Sequence, residues 1–175
     1  MSVAHPTARG TAALLAVLAA LGAYLALAER PRPPAPHGPP ALLGVPATAV
    51  ARVDVDGKDG PLAALRGPDG WKGPDGHPWP GDAVDDLLET LASLPPLMVV
   101  DPDPHAPGDY GLGDGAARVE MHAADGRRLL GLEVGERNPA WTGVYVRRAG
   151  EPEVMLVGAV LAWELEKVRA AAPGP

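Results

Sequence analysis

Residues 117–134 read ARVEMHAADGRRLLGLEV, and this stretch decides the fold. Ala117, Val119 and Met121 alternate with Arg118, Glu120 and His122, and Leu130, Leu132 and Val134 alternate in the same way beyond Asp125-Gly126. A period of two sends successive side chains to opposite faces of a sheet. Asp-Gly between two such runs signals a hairpin, because glycine supplies the positive φ that a tight turn requires. The stretch is therefore expected to form an antiparallel hairpin with one dry face and one wet face.

Downstream, Gly143–Arg148 and Glu153–Val157 form a second expected hairpin across Ala149-Gly-Glu-Pro152. A helix from about Ala159 to Ala171 then closes the chain, burying Leu161, Leu165 and Val168, with Glu164 and Lys167 as an exposed pair three positions apart. Upstream, Val53 and Val55 alternate with Arg52, Asp54 and Asp56 in a strand expected over 49–56. Gly and Pro crowd residues 61–81, which read as a short strand pair ending near Trp71 and then a loop. Asp82 is placed to cap a helix, with Asp85 and Asp86 in its positive first turn and Val84, Leu87, Leu88, Leu91 and Leu94 at helical spacing. Pro95 and Pro96 stop it; Leu97–Val100 reads as one more short strand and Asp101–Asp109, DPDPHAPGD, as a rigid acidic loop. The expected fold is α+β, a small antiparallel sheet of hairpins with two helices on one face.

The 22 Gly and 22 Pro make up about a quarter of the 175 residues, near the level that signals disorder, yet 46% of the chain is hydrophobic and only 21% charged. Most of these residues are therefore read as punctuation between short elements. The formal net charge is −7. Arg9, Arg30 and Arg32 outweigh Glu29 before residue 41, so the remainder is more acidic still, and no nucleic-acid partner is expected of it. The absence of cysteine excludes disulfides, thiolate metal sites, a cysteine nucleophile and lipid attachment through a thiol.

Thr11–Ala28, TAALLAVLAALGAYLALA, is an uncharged run bracketed by Arg9 and Glu29-Arg30. As a helix it would span about 27 Å, the hydrocarbon core of a bilayer. A single-pass anchor is expected; the competing reading is a secretory signal cleaved after Ala28, since Ala26-Leu27-Ala28 has the small-x-small form. A buried core helix fits less well, because the run has no polar face. The flanking charges tie and leave orientation open; the position of the run ahead of a domain with no second span favours export. Residues 31–40, PRPPAPHGPP, hold six prolines and suit an extended spacer of roughly 30 Å. The expected organisation is a cytoplasmic tail over 1–10, a transmembrane helix or signal anchor over 11–28, a Pro-rich linker over 29–46 and an extracytoplasmic α+β domain over 47–172.

Several pieces together resemble one family: Gly70-Trp71, the acidic helix with Leu87, Leu88 and Leu91, Asp109-Tyr-Gly-Leu112, Val119-Glu-Met-His with Asp125-Gly126, Leu132-Glu-Val-Gly135, Gly143-Val-Tyr-Val146 and Val154-Met-Leu-Val157. From about Ala47 to Arg169 the chain is similar to the domain of unknown function 4340 family of bacterial envelope proteins, some linked to gliding-motility ABC transporters. The resemblance implies a membrane-tethered accessory domain facing the periplasm or exterior, with envelope or transporter proteins as partners. It supplies no catalytic residues.

Side-chain chemistry points the same way. Ser2 and Ser93, the only serines, have no nucleophile-elbow context. His77, His105 and His122 lack zinc-ligand spacing and read as solvated. The run from Asp54 to Gly60 superficially has a calcium-loop look but carries Lys58 and Leu65 where ligands belong. Gly111-Leu-Gly113-Asp-Gly115 lacks the setting of a nucleotide loop. Asp101, Asp103 and Asp109 could bind a hard cation weakly or act as an acid and base, but solvation of a proline-rich loop explains them. No metal, cofactor or catalytic residue is expected, and the chain is not expected to be an enzyme. Trp71 and Trp163 read as core. Trp141, close to Tyr145, Arg147 and Arg148, supplies the mixture typical of interface hot spots, and these four are the candidate partner-binding residues. The alternative function is a secreted or periplasmic binding module for a cation or polysaccharide.

Overall fold

In the computed structural model, which describes residues 39–79 and 82–172 together with Val17, Leu18 and Leu21, the alternating runs become eight strands in one sheet. They are β1 (Arg52–Asp56), β2 (Leu62–Gly67), β3 (Gly70–Lys72), β4 (Met98–Asp101), β5 (Ala117–His122), β6 (Arg128–Arg137), β7 (Gly143–Arg148) and β8 (Val154–Gly158). The helices are α1 (Ala83–Ser93), between β3 and β4, and α2 (Val160–Ala171) after β8. Every neighbour pair is antiparallel and the order is β3-β2-β1-β5-β6-β7-β8-β4. The α+β expectation thus holds for the sheet and both helices. The 11–28 span falls outside the described residues except for Val17, Leu18 and Leu21, and no described helix is long and apolar enough to cross a membrane.

Register explains the core. Val53 lies opposite Met121, Val55 opposite Val119, Val119 opposite Leu132, Val134 opposite Val146 and Val146 opposite Met155. Directly opposed residues share a face, so the hydrophobic phase of all these strands collects on one side. Val84, Leu87, Leu88 and Leu91 of α1 and Leu161, Leu165 and Val168 of α2 join the same buried cluster. The two helices pack against each other, and Lys167 of α2 bridges to Asp86 of α1 as well as to Glu164 at 3.5 Å. That contact with Asp86 is the first cause raising the Lys167 ammonium above its ordinary pKa.

Three expectations need correction. Leu42 and Leu43, placed in the 29–46 linker, are fully buried core residues. Their N–H groups donate to the carbonyls of Leu94 (3.0 Å) and Leu91 (2.9 Å), satisfying acceptors that the end of α1 leaves free. The domain therefore begins before residue 47. Trp163 is not core but 61% exposed: at 100° per residue it points away from the stripe of Leu161, Leu165 and Val168. Asp82 stands at the N-cap of α1 without a side-chain capping bond. Asp85 instead turns to the sheet, accepting the Trp71 indole N–H at 3.0 Å and facing Arg66 at 3.2 Å. Arg66 also lies over the Trp71 ring, 4.4 Å from its centroid.

The outer side of β3 is covered. Trp79 N–H donates to Trp71 O (2.9 Å), Gly73 N–H to His77 O (2.8 Å), and Lys72 bridges to Pro78. Trp79 is buried by this fold-back. At the far edge, β4 pairs only with β8.

Candidate functional site

The face of the sheet away from the helices carries the polar phase of the strands, and the connection from β4 to β5 crosses it. Within that connection Pro107–Tyr110 form a 3-10 turn, and Gly111 leaves it at φ +69°. The Tyr110 ring meets Tyr145 of β7 edge-on, with centroids 5.1 Å apart, and its hydroxyl donates to Asp101 Oδ2 at 3.0 Å. A Cβ on Gly135 would strike the Tyr110 carbonyl oxygen, and one on Gly111 would strike Glu136. Both positions therefore need glycine for the loop to lie flat on β6. The hydrogen bond to Asp101, before burial and nearby negative charge, raises the Tyr110 hydroxyl above its ordinary pKa and keeps it a donor. Asp109-Tyr-Gly-Leu112, Leu132-Glu-Val-Gly135 and Gly143-Val-Tyr-Val146 thus converge on one clasp.

Next to the clasp, ionic groups are paired across the strands. Arg147 reaches Glu133 at 2.6 Å, both about four-fifths buried, with Arg118 also facing Glu133 at 3.7 Å. Arg52 grips Asp54 at 2.7 Å, which holds the guanidinium above its usual range. His122 lies 3.5 Å from Asp54 and 3.8 Å from Glu120. It takes the wet phase as expected, yet it is more enclosed than a solvated histidine, and its Nδ1 has no hydrogen-bond partner. His77 stays in its loop, paired with Asp75 at 2.8 Å. Hydrogen bonding from the His77 backbone and ring pulls the Asp75 carboxyl below its usual range. Among the described residues, no group of three or more His, Asp or Glu is placed to hold a metal ion.

The four nominated residues do not form one patch. Tyr145 and Arg147 lie on the polar face, Tyr145 against the clasp and Arg147 bound to Glu133. Arg148, opposite Leu132, takes the other face and lines a groove of about 290 Å³ with Pro39, Pro40, Leu97 and Met155. Trp141 sits beyond the other end of β7 in the turn from β6. It is 70% exposed and, with φ +59°, is the one non-glycine residue with positive φ among the described residues. Asn138 imposes this shape: its side-chain oxygen accepts the N–H groups of Thr142 (2.9 Å) and Gly143 (3.0 Å), while its carbonyl accepts Trp141 N–H (2.9 Å). Arg137 stands over the Trp141 ring, 5.6 Å from its centroid, and pairs with Glu166 of α2 at 3.0 Å.

Arg137, against Trp141, and Tyr110, against Tyr145, are the neighbours that the candidate set lacks. A register shift after Val134 puts Arg137 opposite Val144 on the helix side, where uninterrupted alternation would have placed Glu136. A cleft of about 780 Å³ opens at this end of the sheet, lined by Gly57, Lys58, Leu112, Ala162, Glu166 and Arg169. Glycine backbone, the apolar side chains of Leu112, Val134 and Leu165, and charges of both signs form its walls.

Residues 71–171, from β3 to the end of α2, match the family described as domain of unknown function (DUF4340). The chain belongs to the DUF4340 family. The matched region contains the clasp, the Trp141 turn and both helices of the DUF4340 domain, while β1 and β2 precede it. No curated protein and no solved structure matches the chain.

Proposed function

We propose that this DUF4340 protein is a membrane-anchored, extracytoplasmic accessory domain that binds or organises partner proteins of a bacterial envelope machine or transporter and is not an enzyme. The observation that carries the reading is Trp141. A bulky residue in the left-handed region costs about 1–2 kcal/mol, and here that cost holds an aromatic ring in solvent beside Arg137, with no compensating burial. Strain maintained for exposure is a mark of recognition. The ionic groups of the polar face are matched to opposite charges, which supports a structural role for them over proton transfer. The uncharged run over 11–28 supports attachment to the inner membrane, and the proline-rich stretch after it supports a domain held off the surface.

The test is crosslinking and affinity recovery from membranes with the full chain, comparing it with a chain lacking 39–172 and with Trp141→Ala. Partners should disappear with the deletion and weaken with Trp141→Ala; recovery unchanged by the deletion would sink the proposal. Alkaline carbonate washing tests the anchor separately, since an anchored chain stays in the pellet and a cleaved one is released.

A further inference from the structure

β4 is an edge strand that pairs only with β8 among the described strands, with Pro39 and Pro40 near it across a groove. Leu97 N–H donates inward to Leu156 O at 2.8 Å, and Met98 lies opposite that same Leu156, so this end of β4 is held by one residue of β8. Leu97, Met98 and Val99 are 59%, 57% and 46% exposed, three consecutive large apolar side chains on an unpaired edge. Soluble sheets ordinarily blunt such edges with lysine, proline or a covering loop, as residues 73–79 cover β3. Met98 lies opposite Leu156 and Val99 opposite Met155, so an added strand would find apolar side chains on both faces. The groove of about 290 Å³ follows this edge, bounded by Pro39, Pro40, Pro96, Glu151 and Glu153.

We infer that β4 takes an extended segment of a partner protein as a ninth strand, and that this segment alternates apolar residues and is flanked by Lys or Arg. Backbone pairing would supply affinity and the groove would select side chains. Charge sets the flanks: Glu151 and Glu153 line the groove and Asp101 ends the strand, against Arg148 as the groove's one cation. A second copy of this chain would bring the same acidic rim to that edge. The chain's own residues 31–40 hold six prolines and so lack most of the N–H donors that strand pairing uses. The inference rests on reading the chain as a partner-binding domain and deepens it by naming the contact.

The probe is a displayed library of random twelve-residue peptides, selected against the full-length chain. Selected peptides should be β-forming with basic flanks and should lose at least tenfold in affinity on Met98→Lys. Met98→Pro, which removes a backbone donor of the edge strand, should do the same, while His77→Ala should bind as the parent does. Both variants are checked for a native circular dichroism spectrum, and protection of residues 97–101 from hydrogen exchange by the peptide provides a readout that needs no substitution. Selection of nothing above background, binding indifferent to both Met98 substitutions, or a self-association abolished by Met98→Lys overturns the inference. If membrane partners depend on the domain but not on Met98, the proposed function stands and the β4 contact alone falls.

Discussion

β3 and β4 lie at opposite ends of one sheet and are joined through α1, yet their outer sides differ. Residues 73–79 turn back over β3, bury Trp79 and use the Trp71 carbonyl as an acceptor. β4 has four residues, a register shift between Val99 and Asp101, and apolar side chains in water. Both segments are rich in neighbouring prolines, so proline content does not separate them. The difference is a tryptophan pair: at β3 the fold-back has large apolar side chains to bury, whereas the proline-rich run after β4 leaves the edge and reaches the polar face at Tyr110. An edge is closed when its continuation has something to bury against it.

The strongest challenge to this contrast is Trp71→Ala. It should cost about 3–5 kcal/mol in urea denaturation, because it removes the core side chain of β3 together with its bonds to Asp85 and Arg66. A loss below 1 kcal/mol would mean that β3 does not depend on its tryptophan. Gly135→Ala comes next, at about 1–3 kcal/mol, since the new methyl would displace the loop that pins Asp101 at the end of β4. Trp141→Gly is expected to stabilise the fold by about 1 kcal/mol while weakening partner recovery; equal or lower stability would remove the argument from strain.

The Tyr110–Asp101 bond gives a pH-dependent view of the β4 end. The native hydroxyl holds its proton above the ordinary value of 10.0, so its contribution is complete below the unfolded value and is lost as pH climbs through the raised native one. Stability measured from neutral pH through that alkaline window should fall more steeply in the parent than in Tyr110→Phe. Parallel curves would show that the bond is not formed in solution. The smallest effect is expected for Met98→Lys, within about 0.5 kcal/mol; a larger loss would show that the β4 edge is covered.

Much of this was legible before any coordinates. The alternation in 117–134 and its Asp-Gly turn fix β5 and β6 and the side each residue faces, and the helical spacing of Leu87, Leu88 and Leu91 marks α1. Local periodicity has no information about which distant strand a short apolar run will join, so Met98–Asp101 was readable as a strand but not as the partner of β8. A register shift is invisible to a strict period of two, which hid Arg137 behind Glu136. Leu42 and Leu43 sat beside a proline tract whose composition outweighed two adjacent leucines. Trp163 reads as core by size, but its angular position on α2 puts it outside the stripe of Leu161, Leu165 and Val168. Residue types alone mark the Trp141 turn, and its strain is set by the bonds of Asn138, which no local pattern encodes.

The strand order also sets a sequence in time. β4 precedes four strands in the chain but can pair only with the last of them, since Met98 meets Leu156. A chain emerging from its N-terminus has Leu97, Met98 and Val99 in hand well before β8 exists, and closure over so long a separation is slow. The hairpins β5–β6 and β7–β8 can form meanwhile from neighbouring residues. β4 is therefore the seam at which the fold is sewn shut, and during synthesis it is the segment that most needs shielding from other chains.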